Sequence, residues 1–199
     1  LVAGGALPAD RVLELGIELA DALEAAHAKG IIHRDIKPAN VRILEDGSVK
    51  IMDFGIAKSL QTESNLTQTG ITLGTSAYLA PEQIPGEPVD RRTDIFSLGI
   101  LAYEVLTFRK PFRGEHLSTI LYRILNEAPE PVQSVAPDVP PGLAAIVNRA
   151  MEKNIDIGVA RITPRLTDFS IAGLEANYVS TTHESLEELS RRIGKADLI

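Results

Sequence analysis

The sequence contains no cysteine, which excludes disulfides, thiolate metal sites and cysteine nucleophiles and suits a reducing compartment. It has no excess of positive charge. The formal net charge is −7, which argues against a general nucleic-acid or anionic-membrane binder. Long apolar runs are also absent: the most apolar stretch, Ile95 to Phe108, is interrupted by Ser97, Glu104 and Thr107. It is too short to cross a bilayer, so a buried helix is expected there, and neither a signal peptide nor a membrane segment is visible. No repeat or low-complexity segment stands out. Residue 1 is a leucine, and the first residues read as the middle of a domain.

What is present is ordinary for a globular chain. Its 199 residues, 44% hydrophobic and 24% charged, suffice for one sizeable core, or for one lobe with a tail. The distinctive stretch runs from His33 to Gly55. Two polar clusters, His33-Arg34-Asp35-Ile36-Lys37-Pro38-Ala39-Asn40 and Asp53-Phe54-Gly55, flank a segment patterned as a β-hairpin. Val41, Ile43, Val49 and Ile51 are its apolar positions, and Asp46-Gly47 supplies a turn that tolerates positive φ. Closing the hairpin returns Asp53 towards Asn40, so Asp35, Lys37, Asn40 and Asp53 can converge. Such a set suits a metal-bound polyphosphate. The Asp53 carboxylate and Asn40 amide oxygen are hard ligands for Mg²⁺, Asp35 can accept a hydroxyl proton, and Lys37 can neutralise a moving phosphoryl group.

These motifs, with Ala80-Pro81-Glu82 downstream, resemble the catalytic loop, metal-binding motif and activation-segment end of eukaryotic-type protein kinases. Lys37 two residues after Asp35, and Gly74-Thr75 ahead of Tyr78, resemble the serine/threonine type, and the texture of the chain is similar to bacterial serine/threonine kinases. The resemblance implies an α+β, mostly α, kinase-like C-terminal lobe with a small β-hairpin. It implies Asp35 as catalytic base, Asp53 and Asn40 as holders of two Mg²⁺ ions (with Mn²⁺ as an alternative metal), Lys37 at the ATP γ-phosphate, and Thr75 bonded near Asp35 and Lys37. Further implied roles are structural or regulatory: His33 and Phe54 stack in an internal column, Gly55 completes the metal-binding motif, Arg34 pairs with an activation-loop phosphate, and Glu82 pairs with an arginine. Asp94 holds the catalytic-loop backbone, with a helix cap as its alternative reading. Each residue taken alone also reads as a turn or cap.

Along the chain, apolar positions Leu13, Ile17, Ala20, Leu23 and His27 predict a helix over Ala9 to Lys29, stopped by Gly30. Pro8 suits its first turn, and Ile31-Ile32 follows as a short extended piece. Thr62, Ser64, Thr67, Thr69 and Thr72 lie in a polar segment that reads as a surface loop carrying phosphorylation candidates. Val89 to Thr107 predicts the core helix, with Asp90 or Thr93 near its start. Helices are also expected over Glu115 to Asn126 and Gly142 to Lys153, the latter presenting Leu143, Ile146, Val147 and Ala150. The proline-punctuated stretch 129–141 reads as a loop. His27, His116 and His183 have no evident partners.

Two departures from the family pattern stand out. Arg42 occupies a position where the family places an aliphatic residue beneath the adenine, so its stem would have to lie flat there. After Asn154 the resemblance ends: Arg161 or Arg165 would have to serve as the partner of Glu82, and 155–199 reads as a divergent tail, a truncation or a frame artefact. The expected division is a kinase large lobe over 1–154 and the tail over 155–199, with the small lobe expected upstream. The function expected is transfer of the ATP γ-phosphoryl to a Ser/Thr hydroxyl of a protein substrate, in the cytoplasm, with no nucleic-acid partner. The alternative is a non-catalytic kinase-fold scaffold; a small-molecule phosphotransferase is disfavoured by the Ala-Pro-Glu motif and Thr75. Residues 1–199 alone are expected to lack kinase activity and to expose an apolar patch, because the groups gripping the other side of the triphosphate are not among them.

Overall fold

A computed structural model of the chain describes residues 5–54 and 76–153. These lie in the first of two compact units, Leu1–Thr163. The expectations placed on Gly55, the threonine-rich segment, Thr75, Arg161, Arg165, His183 and the tail fall outside the described residues. What is described is helix-rich with one two-stranded antiparallel sheet, as the α+β, mostly α, kinase-like lobe requires.

The elements are α1 (Ala9–His27), β1 (Val41–Ile43), β2 (Val49–Ile51), α2 (Arg91–Thr107), α3 (Leu117–Asn126), α4 (Val132–Val135) and α5 (Pro141–Ala150), with 3₁₀ turns at Pro38–Asn40 and Pro81–Gln83. Helix α2 is the centre. The Asp90 side chain caps it by accepting from the Arg92 N–H at 2.8 Å, satisfying one of the donors that a helix start leaves open. It ends at Phe108, whose φ of 54° is left-handed and whose N–H closes on the Glu104 carbonyl. Twelve of its residues, from Thr93 to Leu106, are buried, because α1, α4 and α5 all pack on it. Even its buried acid Glu104 is satisfied, by the Tyr78 hydroxyl. Burial first, and this bond second, push the Tyr78 phenol up.

Gly99 sets how closely α2 and α5 approach. A β-carbon there would stand 2.9 Å from the Ala150 β-carbon, closer than such atoms sit, and a tight 3.2 Å from the Ala150 backbone. Gly99→Ala is therefore expected to destabilise the fold by about 1–3 kcal/mol through overpacking, lowering the thermal midpoint by several degrees in calorimetry. An unchanged midpoint would mean that the helices can part at no cost.

Helix α1 buries Val12, Leu15, Leu19, Ala20 and Leu23. The expected stripe through Leu13 and Ile17 is only half-buried; the face is turned towards Val12 because the helix packs on both α2 and β2. It stops two residues earlier than the periodicity suggests. Gly30 adopts φ +73°, and the Ile31 N–H returns 3.0 Å to the Ala26 carbonyl, a glycine stop of the Schellman kind. The hairpin pairs Val41 with Ile51, Arg42 with Lys50 and Ile43 with Val49, and Gly47 turns it at φ +85°. Helix α1 clasps it: Glu18 accepts from the Val49 N–H at 2.8 Å, and Arg11 donates to the Gly47 carbonyl at 2.9 Å. Val41 is buried, whereas Ile43 is exposed near the tip. Helix α3 starts two residues later than expected and ends at Asn126 as expected, whereas α5 starts one residue earlier than expected and ends three residues earlier. Helix α4 lies inside the stretch read as a loop; Val132 is buried and its N–H donates to Asn148 of α5.

Candidate active site

Loop 33–40 is shaped both by groups from elsewhere in the chain and by bonds within the loop itself. His33 is fully buried. Its Nε2 lies 3.0 Å from the Met52 carbonyl, which can only accept, so Nε2 carries the proton and Nδ1 accepts from the Asp35 N–H at 3.2 Å. Its ring packs against Phe54 at 4.6 Å, tilted by 53°. The structural pairing expected of His33 and Phe54 is present.

Asp94, also fully buried, is a hub. Its carboxylate accepts from the His33 N–H at 2.8 Å, the Arg34 N–H at 2.7 Å and His27 Nε2 at 2.7 Å. Asp94 thus holds the loop backbone rather than capping α2, the role taken by Asp90. His27 is a site residue that the sequence reading missed, since it was credited with no partner. The available signal was its place on the apolar face of α1, where an imidazole needs a polar contact.

Arg34 adopts φ +67°, a left-handed conformation costing a non-glycine residue about 1–2 kcal/mol. The price is met by bonds at both its polar backbone atoms, the second being the Arg34 carbonyl, which accepts from Gln83 Nε2 at 2.9 Å. The Arg34 side chain is half-buried.

Asp35 follows directly. Its Oδ2 receives Lys37 Nζ at 2.8 Å and Asn40 Nδ2 at 3.1 Å, while Asn40 Nδ2 also donates to the Asp35 carbonyl at 2.8 Å. The 3₁₀ turn, started by Pro38, makes this return; Asn40 is buried. Both Asn40 bonds use Nδ2, so Oδ1 is the atom left for a metal ion.

Asp53 arrives from the other strand. The Met52 N–H donates to the Asn40 carbonyl at 2.8 Å and the Met52 carbonyl accepts from His33, so the residue before Asp53 is tied to the loop at both polar atoms. Asp53 has φ +55° and is exposed. Asp35, Lys37 and Asn40 are thus in direct contact, and Asp53 sits one residue beyond the hairpin's bond to Asn40. Glu82 accepts from the Thr93 hydroxyl, so its described partner is a threonine of α2.

The donor set fits Mg²⁺. Among the described residues no cluster of three or more His, Cys, Asp or Glu could hold a metal. A cation between Asp53 and Asn40 would have to complete its shell with water and phosphate oxygens, as Mg²⁺ ordinarily does.

A family model for the protein kinase domain matches residues 2–156. The chain belongs to the protein kinase domain family. This kinase-family chain is 44% identical over 157 residues to a probable serine/threonine-protein kinase of Streptomyces coelicolor, an alignment covering 78% of this chain and 23% of that protein. It is 44% identical over 153 residues to the serine/threonine-protein kinase PknB of Mycolicibacterium smegmatis (76% and 24% covered) and 41% identical over 151 residues to PknB of Mycobacterium tuberculosis (75% and 24% covered). The chain therefore spans about a quarter of the length of the curated relatives it matches. As a family, protein kinases use ATP and a divalent metal and act on proteins. No described helix is long and apolar enough to cross a membrane.

Proposed function

We propose that residues 1–154 form the large lobe of an ATP- and Mg²⁺-dependent serine/threonine protein kinase, with 155–199 a separate tail, acting in the cytoplasm where its ATP is found. The observation that carries this reading is the Asp35 carboxylate, held by Lys37 and Asn40 on a loop clamped from α2, with Asp53 next to Met52, whose N–H is bonded to the Asn40 carbonyl.

In this mechanism Asp35 orients the substrate hydroxyl and takes its proton as the oxygen attacks the γ-phosphorus. The bond from that phosphorus to the β,γ-bridging oxygen breaks, leaving ADP and a phosphoester. Lys37 balances charge on the transferring group and, bonded to Oδ2, restrains Asp35. Asn40 and Asp53 would hold Mg²⁺, which when bound neutralises phosphate charge. Asn40 also fixes the loop through the Asp35 carbonyl.

The test uses radiolabelled ATP and a generic basic protein substrate with the complete kinase domain. Incorporation into serine or threonine is expected. Asp53→Asn should weaken Mg²⁺-dependent ATP binding roughly 10–100-fold, the loss typical even for groups that only support a metal ligand. Binding that is unaltered in this variant, at every Mg²⁺ concentration, would remove Asp53 from the metal site. Absence of incorporation by the complete domain would favour the scaffold reading.

A further inference from the structure

The Arg34–Asp35 peptide decides where the Asp35 side chain leaves the backbone, and Arg34 is in a conformation it would not adopt unaided. Its N–H is held by Asp94. Its carbonyl is held by Gln83, from the chain beyond the Ala80-Pro81-Glu82 motif and 49 residues away. We propose that Gln83 is a positioning residue: its amide fixes the Arg34 carbonyl and so aims the Asp35 carboxylate.

The Gln83 amide has only one workable orientation. Its Oε1 accepts from the Ala80 N–H at 2.9 Å while Nε2 donates to Arg34. Turning the amide over would face an NH₂ with an N–H and an oxygen with a carbonyl, losing both bonds at once. The base of the side chain is equally well fixed. Ala80 is fully buried, Ser97 Oγ donates to the Tyr78 carbonyl at 2.8 Å, and Glu82 is engaged by Thr93. The two bonds tie residues 78–82 to the first turns of α2, which also carry Asp94. Helix α2 therefore grips Arg34 at its N–H through Asp94 and at its carbonyl through Gln83. Other side chains of similar length fail on one side. Glutamate keeps an acceptor for Ala80 but sets a carboxylate against a carbonyl, and lysine can donate but not accept.

A purely local role, closing the 80–83 turn, would need only the Ala80 bond, and Gln83→Glu separates the two. In hydrogen-exchange mass spectrometry of the full chain this variant should exchange the amides of residues 32–37 about tenfold faster than wild type, the equivalent of one hydrogen bond. Residues 77–84, α1 and α2 should be unchanged. Gln83→Ala should loosen both segments. In the kinase reaction Gln83→Glu should lower kcat about tenfold with the KM for ATP unaltered. Wild-type exchange over 32–37 in Gln83→Glu, or faster exchange confined to 77–84 in both variants, would overturn the proposal. The inference rests on Asp35 as proton acceptor, yet the two fail separately. A full rate in Asp35→Asn would refute the base assignment and leave the exchange result standing.

Discussion

In the complete kinase domain, Asp35→Asn is expected to lower phosphoryl transfer by about 10²–10⁴-fold, the range a positioned general base contributes, while ATP affinity stays close to wild type. The substitution preserves shape, so Lys37 and Asn40 retain an oxygen to bind in place of Oδ2. What is lost is the capacity to accept a proton and the charge that orients the hydroxyl. Binding should be spared because the phosphates and metal are assigned to Asn40, Asp53 and Lys37. Single-turnover transfer and equilibrium ATP binding, measured on the same preparation, check both halves. A rate within twofold of wild type would dismiss Asp35 as the base.

Asp94→Ala should affect stability and activity together. The carboxylate is fully buried and satisfies three donors. Removing it leaves the buried His33 N–H and the partly buried Arg34 N–H and His27 imidazole without their acceptor, at about 1–3 kcal/mol for each group that water does not reach. A loss of roughly 3–5 kcal/mol is expected, lowering the thermal midpoint by about 10 °C. Transfer should also fall well below the new midpoint, because the freed Arg34 N–H no longer holds the turn before Asp35. Asp94→Asn should fall between, since its amide can accept only at oxygen. Calorimetry and the transfer assay at a temperature where both proteins are folded separate the two effects. A midpoint unchanged in Asp94→Ala would show that water reaches these donors.

Features that were legible in the sequence carry local chemical signals. Asp46-Gly47 marks the hairpin because its turn needs a residue at positive φ, and Asp90 marks the start of α2 because a carboxylate there meets open N–H groups. The grouping of Asp35, Lys37 and Asn40 was legible because short fixed spacings bring the three together. Features that were missed depend on contacts between distant residues. His27 meets Asp94 across 67 positions, and no spacing rule links a helix-terminal histidine to an aspartate on another helix. Gln83 looks like an ordinary polar residue after Pro-Glu until the Arg34 carbonyl is placed beside it. Helix α4 is a single turn between prolines, whose punctuation masks the burial of Val132. On α1, periodicity locates an apolar stripe but not its centre, which depends on the elements packed against it.

The bonds that shape loop 33–40 have a consequence for the order in which the chain can fold. His33 and Arg34 depend on an aspartate 61 and 60 positions later, and Arg34 depends also on a glutamine 49 positions later. Contacts across such separations form slowly, because long loops must close before any bond rewards them. Helix α1 and the hairpin can form from neighbouring residues, but the left-handed turn at Arg34 lacks its full support until residues 80–83 and α2 are both in place. During synthesis loop 33–40 therefore remains unset after its own residues leave the ribosome, until the first turns of α2 have emerged. In refolding, helical signal should return before the amides of loop 33–40 become protected from exchange.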